Sequence, residues 1–457
     1  MPAEQNKEEK MLEEYKAKTR GSAKLFEAAK QVSPGGVMAG IKFFEPYPIF
    51  MRHAKGAHMK DVDGNDYIDY LMSYGALILG HGNEQVRRAA EQVFEKFGTT
   101  VTGTPSEIEV EYGTLLRDLY HPGGLIRFTN SGLEATLLAV RLAKAYTGRS
   151  CVAKFEGHYH GAVEHLLVSY NSPMSKMGDP ERPEPVSDSK DVRDETLSES
   201  LILPFNDWES TESLIVERAE ELACVILEPF EEGVIAGTPG FMRNLRKLTT
   251  DLGIPLIYDE VKTGFRVRIG GASEFYSIFP DLTCLGKIIG GGLPVGAVVG
   301  SQELMEQLGQ GAKGRGGVFH SGTFNGNPMT LSVGKATIDE LRSGDNFMEI
   351  CVRTKALKDS ISTSLSHHRI PACILGEGGM FNIYITEGQV MNYRDVQSSD
   401  LRFRRLLDMG LLNGGVYLKP TNRFCLSLAH SDDDIRVTGD KLEAVLDELG
   451  PPIPKRT

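Results

Sequence analysis

Apolar positions in the middle of the chain follow two spacings, one typical of a helix face and one typical of a buried strand. Apolar residues within 241–252 recur at helical spacing, and uninterrupted apolar runs flank them at 224–227 and 255–258. A strand, a helix and a second fully apolar strand predict a parallel sheet that is covered on both faces. We therefore predict an α/β fold whose large domain spans residues 84–330.

The two ends of the chain predict a smaller unit. An Asp63-Gly64 pair between β-prone runs is a hairpin signal. After residue 330 the pattern predicts helices over 332–342 and 355–365, a strand over 379–385 and a closing helix over 433–449. We predict that residues 331–457 form a small α+β domain to which residues 1–83 contribute.

Residues 171–200 differ in composition from the segments on either side. They contain Gly, Pro and charged residues and almost no large apolar side chains. Such a segment buries too little surface to offset its ordering entropy. A solvated loop is the prediction, and a structured lid is the alternative.

Charge and hydropathy exclude several classes of protein. Lys and Arg number 50 against 62 Asp and Glu among 457 residues, a net charge of −12, which argues against a nucleic-acid partner bound by a broad basic face. No apolar run is long enough for a secretion signal or a membrane span, so no membrane partner and a cytoplasmic location are expected. The six cysteines form no CxxC pair and no HExxH motif occurs, so no metal site is predicted.

Lys287 is the first candidate for chemistry. It follows an apolar run and precedes Gly290-Gly291-Gly292, a setting that would partly remove it from water. Desolvation lowers an ammonium pKa and favours the neutral amine that forms Schiff bases. The alternative is a lysine that extends from a strand end to solvent.

Asp259 and Glu260 end the second apolar strand. Ligands of parallel sheets collect at the carboxyl ends of the strands, so Asp259 could hold a protonated heteroaromatic nitrogen. A metal site or a helix-capping pair is the alternative.

Ser131, Gly132 and Leu133 open a predicted helix. Free amides at a helix N-terminus bind phosphate, which makes this segment a candidate phosphate site. Ser131 as an ordinary helix N-cap is the alternative.

In this order and spacing, the three segments resemble those of the class III, fold type I aminotransferases, which use pyridoxal phosphate. The glutamate-1-semialdehyde aminomutase branch is the most similar. The resemblance extends along nearly the whole chain, and it includes PGGV at 34–37, KFEGHYHG at 154–161, GKIIGGGLP at 286–294 and SLAH at 427–430. It implies a large, mainly parallel sheet of the seven-stranded type, a small domain built from both chain ends and pyridoxal 5′-phosphate as cofactor.

The resemblance also implies roles for residues around the cofactor ring. Lys287 would form the internal aldimine and then carry a proton between substrate and cofactor. Asp259 would keep the pyridine nitrogen protonated, so that the ring accepts electrons. Tyr159 and Val261 would pack on the two ring faces.

Further cofactor contacts are carried over in the same way. Ser131, with the amides of Gly132 and Leu133, would hold the phosphate, and Glu228 would be another contact. Thr323 matches the residue that reaches the phosphate from the neighbouring subunit, which implies a homodimer with shared sites.

Two departures from the aminomutase pattern concern the substrate carboxylate. Lys42 stands where that branch has an Arg, which keeps the charge but loses the bidentate fork. Arg423 lies in a segment that is shorter than the corresponding segment of the aminomutase branch. It is the second candidate to bind the substrate carboxylate. The alternative is that Arg423 is a solvated turn residue.

Three functions remain open. These departures favour an aminotransferase that moves an amino group between an amino acid or amine, β- and ω-amino acids included, and a keto acid by way of pyridoxamine phosphate. An aminomutase that returns the amino group to the adjacent carbon is the alternative, and a catalytically inactive regulatory homologue is the third.

Overall fold

The computed structural model describes residues 2–309 and 317–452, with side chains from residue 6 onward. The outer ends of the two predicted terminal segments, residue 1 and residues 453–457, lie outside the described residues. In the part of the chain that the structure describes, no helix is long and apolar enough to cross a membrane.

Short strands and helices alternate along the chain. The strands are β1 (Met51–Lys55), β2 (His58–Asp61), β3 (Asp66–Asp69), β4 (Leu125–Thr129), β5 (Cys151–Phe155), β6 (Gly178–Asp179), β7 (Arg182–Pro183), β8 (Ser200–Leu203), β9 (Leu222–Leu227), β10 (Phe230–Glu231), β11 (Ile235–Ala236), β12 (Leu256–Asp259), β13 (Leu282–Gly286), β14 (Gly296–Gly300), β15 (Ala372–Leu375), β16 (Met380–Ile385), β17 (Val416–Tyr417) and β18 (Phe424–Cys425). The helices are α1 (Pro2–Lys18), α2 (Arg20–Ala29), α3 (Met72–Gly75), α4 (Glu84–Phe97), α5 (Glu107–Tyr120), α6 (Gly132–Thr147), α7 (Asp194–Ser198), α8 (Trp208–Glu217), α9 (Pro239–Asp251), α10 (Gly271–Tyr276), α11 (Gln302–Met305), α12 (Pro328–Leu341), α13 (Asn346–His367), α14 (Tyr393–Ser398), α15 (Leu401–Asn413) and α16 (Asp432–Leu449).

Seven strands form the large sheet, in the order β4-β14-β13-β12-β9-β5-β8. Adjacent pairs from β13 to β8 are parallel, whereas β14 is antiparallel to both of its neighbours. The predicted α/β class and the mainly parallel seven-stranded sheet are therefore confirmed. The two apolar runs are β9 and β12, and the helix between them is α9.

Helix α6 packs against the middle of this sheet. Its apolar side, with Leu138 and Leu142, shares a buried cluster with Ile226 of β9 and Ile257 of β12. Because both faces of the central strands are covered, β9 is apolar at every position and β12 at every position but its last, Asp259. The N-terminus of α6 is thereby fixed beside the carboxyl ends of the strands.

The two chain ends meet in a second sheet, of order β1-β2-β3-β17. The hairpin predicted at Asp63-Gly64 is the antiparallel pair β2–β3, and β17 adds to β3 in parallel. The three-stranded sheet β15-β16-β18 lies in the C-terminal part. This arrangement agrees with a small unit built from both ends, and the bounds 1–83, 84–330 and 331–457 stay predictions.

The segment at 171–200 is structured, so the predicted solvated loop is wrong for its backbone. It contains the β6–β7 hairpin and α7. Asp188 accepts hydrogen bonds from Asn171 N and Ser172 Oγ, both at 3.1 Å. Arg394 of α14 donates to the carbonyls of Met177 and Gly178, both at 3.0 Å. Polar contacts to neighbouring residues therefore stabilise the backbone of this segment, although it buries few large apolar side chains.

Candidate active site

Candidates from four segments of the chain lie at the carboxyl ends of strands in the large sheet. Asn130 and Ser131 follow β4, Glu228 follows β9, Asp259 is the last residue of β12, and Lys287 comes directly after β13. Carboxyl ends of parallel strands lie at one edge of a sheet, which is where open α/β sheets bind ligands. Side chains that are far apart in sequence therefore meet here.

One cavity of about 340 Å³ joins these residues, and we call it the lysine cavity. It holds all but one of the residues predicted to contact the cofactor. They are Ser131, Gly132, Leu133, Tyr159, Glu228, Asp259, Val261 and Lys287.

Lys287 has an unusual backbone and an unusual environment. Its φ of 48° lies in the left-handed region, which non-glycine residues seldom adopt. Burial, followed by the nearby cations Lys262 and Arg423, lowers the pKa of its amine to about 7. A neutral amine is the nucleophilic form. Lys287 is only partly exposed and lines the lysine cavity, which favours this reading over a lysine that extends into solvent.

Asp259 and Glu260 have separate partners. Asp259 Oδ1 accepts from Val261 N at 3.1 Å, and burial raises the pKa of its carboxyl to about 6. Glu260 instead accepts from Ala272 N at 2.6 Å and Ser273 N at 3.0 Å, and so caps helix α10. The capping alternative thus holds for Glu260, and Asp259 alone belongs to the lysine cavity.

His160, which the sequence analysis did not single out, is the partner of Asp259. The distance from its Nδ1 to Asp259 Oδ2 is 2.9 Å, and the imidazole is fully buried. Burial holds the pKa of His160 well below its usual value, so the ring is neutral. Because a carboxylate only accepts, Nδ1 carries the proton. His160 belongs to the GHYHG segment at 157–161, which is part of the family resemblance, but the sequence analysis assigned no role to this histidine.

The N-terminus of helix α6 fits a phosphate and is capped as well. Ser131 Oγ accepts from Glu134 N at 3.1 Å, so the N-cap reading of Ser131 is correct. The amides of Gly132 and Leu133 lie in the first turn, at the wall of the lysine cavity. A Cβ on Gly132 would lie 2.8 Å from Val261, so this close approach requires glycine.

Lys262, the other residue that sequence reasoning missed, is held by two carboxylates. Its Nζ lies 2.7 Å from Glu228 and 3.3 Å from Glu232, and 5.7 Å from the centroid of the Tyr159 ring. Glu228 also accepts from Tyr159 N at 3.0 Å. Glu228 thus fixes both the tyrosine and the second lysine. The available indication in the sequence was the position of Lys262 directly after Val261, a predicted cofactor contact.

The remaining predicted residues lie elsewhere. Thr323 is exposed and is outside the described lining of the lysine cavity. Lys42 is exposed and lines a different cavity beside Tyr74. Arg423 is only 7% exposed and its Nη1 lies 3.1 Å from Glu232, so the reading of Arg423 as a solvated turn residue is wrong.

The chemistry of the lysine cavity fits pyridoxal phosphate on three separate grounds. Lys287 offers a desolvated amine for an aldehyde, and the amides at the start of α6 suit a phosphate. Asp259 is a buried carboxylate whose raised pKa indicates that a nearby cation, such as a pyridinium, would stabilise its charged form. The fold and the cavity together define a pyridoxal-phosphate enzyme of fold type I.

Comparison with known proteins gives the family. The chain belongs to the class-III aminotransferases, whose family model matches residues 43–446. It is a pyridoxal-phosphate-dependent enzyme of that class.

Relatives with different names match over most of the chain. The glutamate-1-semialdehyde 2,1-aminomutase of Methanocaldococcus jannaschii is 38% identical and covers 94% of this chain and 98% of its own. An omega-transaminase structure from Sphaerobacter thermophilus is 33% identical, with a TM-score of 0.88 and coverage of 94% and 97%. A beta-phenylalanine aminotransferase structure from Variovorax paradoxus is 28% identical, with a TM-score of 0.86 and coverage of 98% and 100%.

Proposed function

We propose that this protein is a glutamate-1-semialdehyde 2,1-aminomutase, which moves an amino group between adjacent carbons of one substrate. The observation that carries the proposal is the 38% identity to an aminomutase along almost the full length of both chains, together with the residues of the lysine cavity. The sequence alone favoured transfer between two substrates. The names of the relatives support the intramolecular alternative better.

The residues of the lysine cavity have distinct tasks in either reaction. Pyridoxal phosphate, when bound, supplies a ring that accepts the electrons left on a substrate carbon when it loses a proton. Lys287 Nζ would hold the cofactor through its aldehyde, and its free amine would serve as the base and acid that carries the substrate proton. Its pKa of about 7 suits both directions of transfer.

The other side chains hold charge and shape. The Asp259 carboxylate would stabilise a positive charge on the ring nitrogen, and His160 orients that carboxylate. The amides of Gly132 and Leu133 would hold the phosphate, and Tyr159 and Val261 would pack against the ring. Glu228 and Asp259 are buried and Lys287 is half-buried, which limits the access of water to the cavity.

An aminotransferase that uses two substrates is the second candidate. It is supported by Lys42, which stands in place of the branch's Arg and lines a different cavity from Lys287. The omega-transaminase at 33% identity also supports it. Such an enzyme releases a keto product and needs a second substrate to recover the amine.

Two copies of the chain complete the site in this proposal. Thr323 is exposed, and Asn325 two residues later accepts a hydrogen bond from Asn130 at 2.6 Å beside the start of α6. This hydrogen bond fixes the segment that contains Thr323 and Asn325 beside the start of α6 in its own chain. From there the exposed Thr323 would reach the phosphate bound by a second copy of the chain. A symmetric dimer has two such shared sites.

Incubation with glutamate-1-semialdehyde and no keto acid tests the function. The expected result is conversion to the isomer that carries the amino group on carbon 1, measured by chromatography, with Lys287→Ala as the inactive control. Conversion that occurs only with an added keto acid and an amino donor would instead establish the two-substrate aminotransferase.

A further inference from the structure

Two histidines and a carboxylate meet between the end of α13 and the C-terminal half of α16. His367 Nδ1 lies 2.8 Å from Glu443 Oε1, and His368 Nε2 lies 3.0 Å from the same oxygen. These three side chains each offer one ligand atom, and the three atoms lie within 4.8 Å of one another. We call this group the histidine cluster. None of its residues lines the lysine cavity, and amino transfer at Lys287 does not use them.

Packing of the two helices holds the histidine cluster in place. Leu365 of α13 and Leu442 of α16 belong to the same buried cluster, and the two helices contact each other directly. Adjacent residues inside a helix point in different directions. Here α13 ends at His367, His368 is its C-cap, and both rings reach Glu443. The ligand atoms are therefore held by packed helices, which keep the geometry of a site better than a loop does.

The distances in the histidine cluster are close to those around a small divalent ion. Zinc binds imidazole nitrogen and carboxylate oxygen at about 2.0–2.2 Å, so two ligand atoms of a tetrahedral site lie about 3.4 Å apart. Because the histidine nitrogens now lie 2.8 and 3.0 Å from Glu443 Oε1, entry of an ion requires each to move outward by only about 0.5 Å. The side chain of His367 is 74% exposed and has room for such a movement.

A second carboxylate lies beside the histidine cluster. Asp447 is one helical turn beyond Glu443 on α16, so the two side chains share a face of that helix. The distance from its Oδ1 to His368 Nε2 is 3.8 Å, within reach of a fourth coordination position. The two carboxylates supply negative charge, and the C-terminal end of α13 adds partial negative charge at the same place. The electrostatic setting therefore favours a cation.

We propose that the histidine cluster binds one divalent transition-metal ion, for which zinc is the test ion. His367 Nδ1, His368 Nε2 and Glu443 supply three ligands, and Asp447 or a water supplies the fourth. Zinc accepts imidazole nitrogen together with carboxylate oxygen, whereas magnesium and calcium prefer oxygen ligands alone. The ion joins α13 to α16 and stabilises the C-terminal part of the chain. The sequence predicted no metal site because the two histidines form no recognised motif and Glu443 lies 75 residues beyond His368.

Zinc titration of the holoenzyme tests this site. Protein without an affinity tag is dialysed against EDTA, then against a buffer without chelator, and zinc chloride is added in a calorimeter. We expect one saturable zinc ion per chain. The double substitution His367→Gln and His368→Gln should weaken binding by at least about tenfold, because even the loss of a group that supports a metal ligand costs ten- to a hundredfold in affinity. His53→Gln, which removes an exposed histidine elsewhere, should leave binding unchanged.

Glu443→Gln separates a metal site from a pair of hydrogen bonds. Its amide oxygen can still accept from both imidazoles, so the melting temperature without zinc should stay close to that of the wild type. Zinc at about one hundred times its Kd should raise the Tm of the wild type by a few degrees, because the ion binds only the folded chain. The same zinc concentration should leave the Tm of Glu443→Gln almost unchanged.

Two results of the titration would overturn the proposal. The absence of saturable binding to the wild type would mean that the histidine cluster only joins the helices by hydrogen bonds. Zinc binding that survives the double substitution would place the ion at other ligands, such as the cysteines. Anomalous diffraction from zinc-soaked crystals locates the ion without any variant, so the proposal stays testable if a variant does not fold. An anomalous peak that is found only away from Glu443 would contradict the site.

Discussion

The imidazole of His160 donates a hydrogen bond from Nδ1 to Asp259 Oδ2 over 2.9 Å, and both groups are buried. This bond fixes the carboxylate at the end of β12, while Val261 N binds its other oxygen. Asp259 is thereby oriented from two sides. We expect His160 to act as a positioning residue for the carboxylate.

Replacement of His160 tests that role. His160→Leu should reduce kcat by about ten- to a hundredfold, in the range seen when a supporting hydrogen bond behind an active group is lost. It should also shift the pH dependence of the visible cofactor band, which a purely structural role would leave in place. His160→Asn, which can still donate, should recover part of both effects. An unshifted spectral titration in His160→Leu would refute the role.

Asp259→Asn should have the larger effect. The amide keeps the shape but removes the negative charge that stabilises a protonated ring nitrogen, so we expect kcat to fall by several orders of magnitude, at about 1.4 kcal/mol per tenfold. Cofactor binding should be retained, because the phosphate is held at α6. Steady-state kinetics beside a cofactor titration measure the two separately. Turnover within a few fold of wild type would mean that Asp259 does not serve the ring.

Lys287→Ala should abolish both the visible absorbance band and turnover. No other lysine of the lysine cavity is free to react, because Lys262 is held by Glu228 at 2.7 Å. Borohydride reduction followed by peptide mapping checks the assignment in the wild-type protein. A pyridoxyl label on Lys262 or any lysine other than Lys287 would contradict it.

Arg423→Ala should discriminate against substrates with a carboxylate. We expect kcat/KM to fall far more for amino acids than for a simple amine such as 1-phenylethylamine, because only the acid loses a charge-assisted partner. Lys42→Ala should show a smaller bias in the same direction, since Lys42 is exposed. Parallel assays of the two substrate types measure the bias. Equal losses in the Arg423 variant would place the carboxylate elsewhere.

Buried neutral histidines should make stability depend on acid pH. His160 has a folded pKa well below the unfolded value of about 6.5, so below that pH only the unfolded chain takes up the proton. Its contribution to stability is complete above about pH 6.5 and falls by about 1.4 kcal/mol per pH unit below it.

Urea unfolding of the apoenzyme measures this dependence. The difference in unfolding free energy between wild type and His160→Asn should shrink as the pH falls from about 7.5 to about 5. The subtraction cancels the contributions of carboxyl groups with raised pKa values, such as Glu260, which act in the opposite direction. A difference that stays constant over this range would mean that His160 titrates normally in the folded protein.

The large sheet was predictable because its central strands carry a strong and local signal. β9 and β12 are buried along their whole length, so nearly every residue had to be apolar and the runs were visible in the sequence. α1 and α2 were not predicted. Only a few apolar residues, among them Met11 and Tyr15, face the core in this charged segment, and the helices are stabilised by tertiary contacts rather than by a strong periodic pattern.

The site was predictable where a residue type is rare in its setting. Lys287 among glycines and Asp259 after an apolar strand both stood out, and both line the lysine cavity. His160 and Lys262 did not stand out, because their importance lies in partners 99 and 34 residues away along the chain. Such pairings depend on which strand ends become neighbours, and that information is not local.

The parallel pairing of β17 with β3 has a consequence for how the chain folds. Ile68 pairs with Val416 and Asp69 with Tyr417, which joins the first sixth of the chain to the last tenth. During synthesis, β3 cannot pair with β17 until nearly all of the polypeptide has left the ribosome. The hairpin of β1–β3 is then an exposed sheet edge for most of translation, a state that invites wrong pairing. Fragments that end before residue 416 should therefore aggregate through this edge, and chaperone dependence should be greatest for the nascent N-terminal part.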